Sequence, residues 1–228
     1  MAYVEFKTGV IKPVDVYKEA WAMIKDQFWM VFAVTIVGML IGGAVPIILI
    51  GPMMCGIYLV LFQVYEGRTF EFGLLFKGFD FFMPSLILAV IITVPALILI
   101  FSIYIPMIAI SVAGPRLSET EAMGAIAGFL AVEVVLAFFM VCLHTLLLFA
   151  FPLIVDRKMS AVEAIKTSAR AVWQNLSGVV GLIVVGMGVA FVGYLMLCIG
   201  IYLVLPLIIA SNLVAYRKVF PAAQASSI

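Results

Sequence analysis

An all-α membrane bundle of six transmembrane helices is the fold class this sequence predicts, and three observations lead there. Of its 228 residues 66% are hydrophobic, with a mean hydropathy of +1.30, where a soluble domain runs about 45–50% apolar. Only 11% are charged, against about 25% in soluble domains. Those charges cluster between long uncharged runs, each matching one or two multiples of the roughly 20 residues a helix needs to cross about 30 Å of hydrocarbon. That much apolar surface exceeds what one soluble core of this size could hide. A soluble enzyme, a disordered regulator and a disulfide-stapled secreted module are excluded. The formal net charge is +1, so no basic field exists to hold nucleic-acid phosphates.

The elements follow in chain order. The first 27 residues mix polar and apolar types and lack the apolar core of a cleavable secretory signal. Phe28 to Tyr65 carries no charge and holds two spans, with Gly42, Gly43 and Pro46 as the turn. Phe81 to Pro115 is the third span. Ala122 to Val155 is the fourth, interrupted by Glu133 alone. Ala171 to Tyr216 holds the last two, turning near Gly200. Cys55, Cys142 and Cys198 all sit in apolar runs without metal-ligand spacing and read as packing residues.

The charges orient the spans. Twelve of the 13 Lys and Arg fall before span 1, between spans 2 and 3, between spans 4 and 5, or after span 6. Only Arg116 falls on the other side. By the positive-inside bias both termini are cytoplasmic.

Three polar segments carry helical patterning. In 13–28, Tyr17, Trp21, Ile24 and Phe28 share a face. In 69–83, Phe72, Phe76, Phe79 and Met83 do. From Ser160, a capping box with Glu163 opens a helix whose apolar side is Ala164, Ile165, Ala169 and Val172. All three read as amphipathic helices lying at the cytoplasmic interface.

A repeat is visible when Gln27 is laid on Asn175. Val31, Val37, Gly38 and Met39 then fall on Val179, Val185, Gly186 and Met187. After a six-residue shift, Pro52, Leu59, Val60 and Phe62 fall on Pro206, Leu213, Val214 and Tyr216. The chain is a single membrane domain, 1–228, with units of about 13–66, 68–156 and 158–217 and a short tail, 218–228. Every unit starts on the same side, so the repeats are parallel. Gly38/Gly42 and Gly124/Gly128 are small-xxx-small pairs that allow close helix approach.

The middle pair is too long. From the Ser118/Glu121 capping box to Asp156 a continuous helix would run about 50 Å, against a core of about 30 Å. Strong tilt, kinks at Pro95, Pro106 and Pro152, or a hairpin standing beyond the outer face each absorb the excess. In the last case Ile100 to Ile110 and Phe129 to Leu130 form an exposed apolar surface, with Ile103, Tyr104, Met107, Phe129 and Leu130 as a partner surface.

Glu133 and His144 are the ionisable acid and base inside a span, and they return to one helix face three turns apart. They form a possible intramembrane polar site, as a proton or ion relay, as a water-reaching carboxylate, or as a neutral His bonding a neighbouring helix. Met140 joins that face, but Cys142 points away, so a soft-metal site lacks ligands. No Ser–His–acid grouping, HExxH, P-loop or GxGxxG stands in a usable context. No catalytic residue, metal or cofactor is expected.

Two stretches carry a resemblance. One is Gly51-Pro52-Met-Met-Cys-Gly56-Ile-Tyr58 leading to Glu66-Gly67-Arg-Thr-Phe-Glu-Phe-Gly73-Leu-Leu-Phe76-Lys-Gly78-Phe79. The other is Phe151-Pro152-Leu-Ile-Val-Asp156-Arg-Lys-Met-Ser160-Ala-Val-Glu163-Ala164 through Trp173-Gln-Asn175. Together, over about 14–216, they resemble the YciC-like six-span bacterial inner-membrane proteins. They are also similar to the membrane domain attached to some glycerophosphodiester phosphodiesterases. The resemblance implies a bacterial cytoplasmic membrane and six helices, and it supplies no catalytic residues. The expectation is a non-enzymatic accessory or scaffold subunit in contact with lipid and with another membrane protein or a second copy. A small-solute, lipid or proton-coupled transporter using His144 is the alternative, and a membrane-embedded enzyme the least supported reading.

Overall fold

A computed structural model describes residues 5–113, 118–196 and 199–222. Cys198, Arg116 and residues 223–228 of the tail lie outside the described residues. Among those described there are nine α-helices and two 3-10 helices, and six stretches are long and apolar enough to cross a membrane. The fold is all-α and polytopic. It divides into two compact units, Met1–Ala89 with Leu146–Ile228, and Val90–Thr145.

The first unit holds the core. Helix α1 (Pro13–Ile24) starts on Pro13, whose ring presets the helical φ and whose missing N–H would have been an orphan there. It buries Val16, Tyr17, Ala20 and Ile24, while Trp21 turns outward. The buried face is therefore rotated from the expected one, because Val16 and Ala20 meet neighbouring helices that only the assembled bundle supplies. A 3-10 turn (Lys25–Gln27) leads into α2 (Phe28–Ala44), and Pro46 opens α3 (Pro46–Tyr65) as the glycines and proline of the turn predicted. Gly67, with a φ of +70°, lets the chain leave α3.

The 69–83 segment departs from its expected form. It is a 3-10 helix over Phe72–Phe81, continuing into α4 (Phe82–Ala113). A three-residue period brings Leu75 and Gly78 to the buried side. Phe76, Phe79 and Met83, expected on the apolar face of an interfacial α-helix, are exposed on the outside of the unit. The cause is backbone contact with α3. A Cβ placed on Gly56 would sit 1.9 Å from the Leu75 carbonyl oxygen, and one on Gly78 would sit 2.0 Å from that of Pro52. A small-residue seam here replaces side-chain packing.

Past the second unit the chain re-enters with α6 (Ala150–Arg157), which ends on Lys158 at a φ of 50°. Ser168 closes the break before it: its hydroxyl accepts from the Phe149 N–H at 3.1 Å and donates to the Leu146 carbonyl at 2.7 Å. Helix α7 (Ala161–Gln174) opens on the expected Ser160/Glu163 capping box. The Ser160 side chain, then its backbone N–H, hydrogen-bond the Glu163 carboxylate and hold it below its usual range. The face α7 buries is Ala161, Ala164, Ser168, Ala171 and Val172, close to the expected stripe. Helices α8 (Leu176–Leu195) and α9 (Ile199–Val219) complete the unit. The break between them falls before Gly200, which lies in the first turn of α9.

Helix α1 lies across the start of α8 and the end of α9. Ile11 packs on Gly178, Tyr17 reaches Gly186, and the Glu19 carboxylate accepts from Lys218 at 2.8 Å. The repeat-aligned positions share environments: Val31 and Val179 are buried, as are Gly38 and Gly186. Phe62 and Tyr216 meet edge to face at 5.9 Å. Gly38 packs on Ile57 and Leu75, and Gly42 on Ile50, so that pair serves packing inside the unit.

The second unit is built differently. Its two helices are the part of α4 from Val90 and most of α5 (Glu119–Leu146), which opens on the Ser118/Glu121 capping box. Helix α4 runs unbroken through Pro95 and Pro106 over 32 residues, about 48 Å. Only Met140 is buried here among the described side chains of 90–145. Gly124 and Gly128 face open space.

Candidate functional site

The second unit carries every residue the sequence singles out. Over 129–140 of α5 the less exposed positions, Phe129, Glu133, Leu136 and Met140, recur at spacings of four, three and four and form one face. Both carboxylate oxygens of Glu133 are shielded from solvent and have no hydrogen-bond partner among the described residues. His144 is exposed. Its Nδ1 lies 2.9 Å from the Met140 carbonyl of its own helix, the contact a ring nitrogen makes when no neighbouring helix offers one. Glu133 and His144 thus stand in different environments, about 16 Å apart along α5. No contact joins them among the described residues. Ile103, Tyr104, Met107 and Leu130 are exposed and Phe129 is half-buried.

A second constellation, in the first unit, is one that sequence reasoning missed. Asp156, at the end of α6, accepts from the Tyr216 hydroxyl at 2.6 Å, from Arg217 Nη1 at 3.0 Å and from Arg157 Nε at 3.2 Å. Arg157 Nη2 also donates to the Pro221 carbonyl at 2.6 Å. The Arg217 side chain is only 8% exposed, and its guanidinium lies 4.5 Å from the centre of the Phe62 ring, with Tyr65 and Tyr216 alongside. Charge-assisted bonds and a cation–π contact are strong when desolvated, so this network ties α6, α9 and α3 together. In sequence Asp156 and Arg217 are merely the charges that end two spans. The signal available was an acid and an Arg at matching span ends, with Tyr216 beside the Arg.

Asn175, on which the repeat alignment is anchored, is a third polar centre. Its Oδ1 accepts from the Gly9 N–H at 2.8 Å, and its Nδ2 donates to the carbonyls of Ala171 and Lys7 at 2.9 and 3.1 Å. The Lys7 N–H in turn donates to the Val219 carbonyl. The segment ahead of α1 is thereby fastened to both α8 and α9.

What these groups can do chemically is limited. Asp156 is engaged by three donor side chains, and Asn175 by three backbone groups. Among the described residues no three His, Cys, Asp or Glu side chains gather to hold a metal ion. Glu133 is an acid whose carboxylate is enclosed with no partner among the described residues. No family model, no curated protein and no solved structure matches the chain.

Proposed function

We propose that this chain is a non-enzymatic accessory or scaffold subunit of a membrane assembly, contacting its partner through the α4–α5 pair. The observation that carries this reading is how little of that pair is covered. In the most apolar window of 119–157 only 6% is buried, and in that of 72–112 only 11%, whereas 61% is buried in that of 46–65. Lipid can cover about 30 Å of an apolar helix. Helix α4 is about half as long again, so an apolar portion including Tyr104 and Met107 needs another cover. Contiguous apolar surface of that kind marks protein contact. The resemblance to YciC-like proteins supports a bacterial cytoplasmic membrane, the distribution of Lys and Arg supports both termini inside, and the shared burial of aligned positions supports parallel repeats.

A photo-crosslinking residue at Tyr104 or Leu130, in membranes of the native host, tests the reading. A discrete protein adduct, stoichiometric and absent when the probe replaces Trp173 in α7, is the expected result. Lipid adducts alone at all three positions would remove the proposal.

One observation favours a second reading, a proton- or ion-coupled transporter. The Glu133 carboxylate is enclosed in a span with no partner among the described residues, and such groups are retained inside membranes mainly for function. Under this reading Glu133→Gln abolishes coupled flux in proteoliposomes while thermal stability is retained. His144→Phe tests the part expected of the histidine in the same assay.

A further inference from the structure

At the α1–α2 junction of the first unit a groove of about 420 Å³ opens between the start of α2 and residues 69–70. Its polar side is Lys25, Asp26, Gln27 and Thr69, and its apolar side Trp29 and Met30. Lys25 and Asp26 are both exposed, and neither makes an ion pair among the described residues. Opposite charges thus stand side by side with no internal partners. Beside them Trp21, Phe28, Trp29 and Phe32 form a continuous ring cluster with centroid distances of 5.3 to 6.2 Å. Trp29 is 71% exposed. Beyond it the outward face of α2 continues apolar through Met39 and Leu40.

A ligand that satisfies all of this has a charged end for the groove and an apolar body for the α2 face. Indoles at such a boundary sit at the headgroup level, apolar on one side and wet on the other. We infer that the groove is a phospholipid site selective for a zwitterionic headgroup bearing a primary ammonium. Lys25 takes the phosphate, Asp26 accepts from the ammonium N–H groups, and the acyl chains lie on Trp29, Phe32 and the face of α2. The presence of the acid is what separates this site from a simple basic patch. An anionic headgroup such as glycerol phosphate would meet Lys25 but would face Asp26 with no donor of matching charge.

The test is native mass spectrometry of the full chain released from nanodiscs of equimolar phosphatidylethanolamine and phosphatidylglycerol. A single solvent-exposed charge pair with the headgroup changes retention by up to about fivefold. The expected result is about fivefold preference for phosphatidylethanolamine. Lys25→Gln lowers total retained lipid about fivefold, and Asp26→Asn erases the preference while keeping the lipid. A third arm uses the unaltered protein, so it does not depend on any variant folding. Phosphatidylcholine, whose trimethylammonium has no N–H to donate, falls to the phosphatidylglycerol level. Equal retention of the three lipids, a preference for phosphatidylglycerol, or variants indistinguishable from the parent would each overturn the assignment.

Discussion

Gly56 in α3 offers the sharpest test of the packing. A methyl group there would lie 1.9 Å from the Leu75 carbonyl oxygen, whereas an ordinary carbon–oxygen approach is about 3.3 Å, so the α3/3-10 seam must open by about 1.4 Å. The obstacle is backbone, not a side chain that can swing aside. A gap of 0.5–1 Å already forfeits about a quarter to a half of each dispersion contact. Those lost would include contacts of Leu75 and Ile57, both buried. Overpacking in a close-fitted core costs about 1–3 kcal/mol and occasionally more, and Gly56→Ala should fall at the top of that range, about 3 kcal/mol. Unfolding in mixed micelles under increasing denaturing detergent, followed by tryptophan fluorescence, measures it. Gly124→Ala is the control. Nothing stands within 4 Å of that position, so the change should not destabilise and adds at most the helix-propensity gain of about 1 kcal/mol. If the two variants unfold alike, the seam is not close-packed and the 3-10 register over Phe72–Phe81 is wrong.

Three further outcomes follow from the polar centres. Asp156→Ala leaves the buried Arg217 charge uncompensated and should cost about 3–5 kcal/mol, whereas Asp156→Leu with Arg217→Met should recover most of it; the same unfolding assay reads both. Asn175→Ala breaks three hydrogen bonds and frees the segment ahead of α1, so amide exchange at Lys7 and Gly9 should accelerate at least tenfold while α3 is unchanged. Glu163 has its carboxyl held below the usual range in the folded helix. Its contribution to α7 is therefore complete above the ordinary glutamate value of about 4.3 and lost as pH falls through the lower folded value. Exchange protection in the first turn of α7 should drop only in that acidic window, and Glu163→Gln should flatten the profile.

Much of the fold was legible because its causes are local. Uncharged length sets the spans, Pro46 and its glycines set a turn, and the two Ser–Glu capping boxes set helix starts within four residues. The errors share a cause as well. An α-helical period puts Phe72, Phe76 and Phe79 on one interfacial face, whereas the segment is a 3-10 helix that turns Leu75 and Gly78 inward. In a bilayer an outward Phe carries no penalty, so hydrophobicity no longer marks the inner face. The inward face is marked by glycine instead, at Gly56 and Gly78, which a composition reading takes for flexibility. Of the candidate site, Glu133 and His144 could be located by type alone, but not their different environments.

That this is an all-α polytopic chain with six helices of membrane-crossing length follows from its residues alone. Apolar length and charge distribution act on each segment independently of the others. The convergence of Asp156, Tyr216, Arg217 and Phe62, the fastening of the segment around Lys7 and Gly9 by Asn175, and the backbone meeting of Gly56 with Leu75 arise only on folding. These contacts join residues far apart in the chain through distances of a few ångströms. No periodicity encodes such distances, because they depend on how the helices cross.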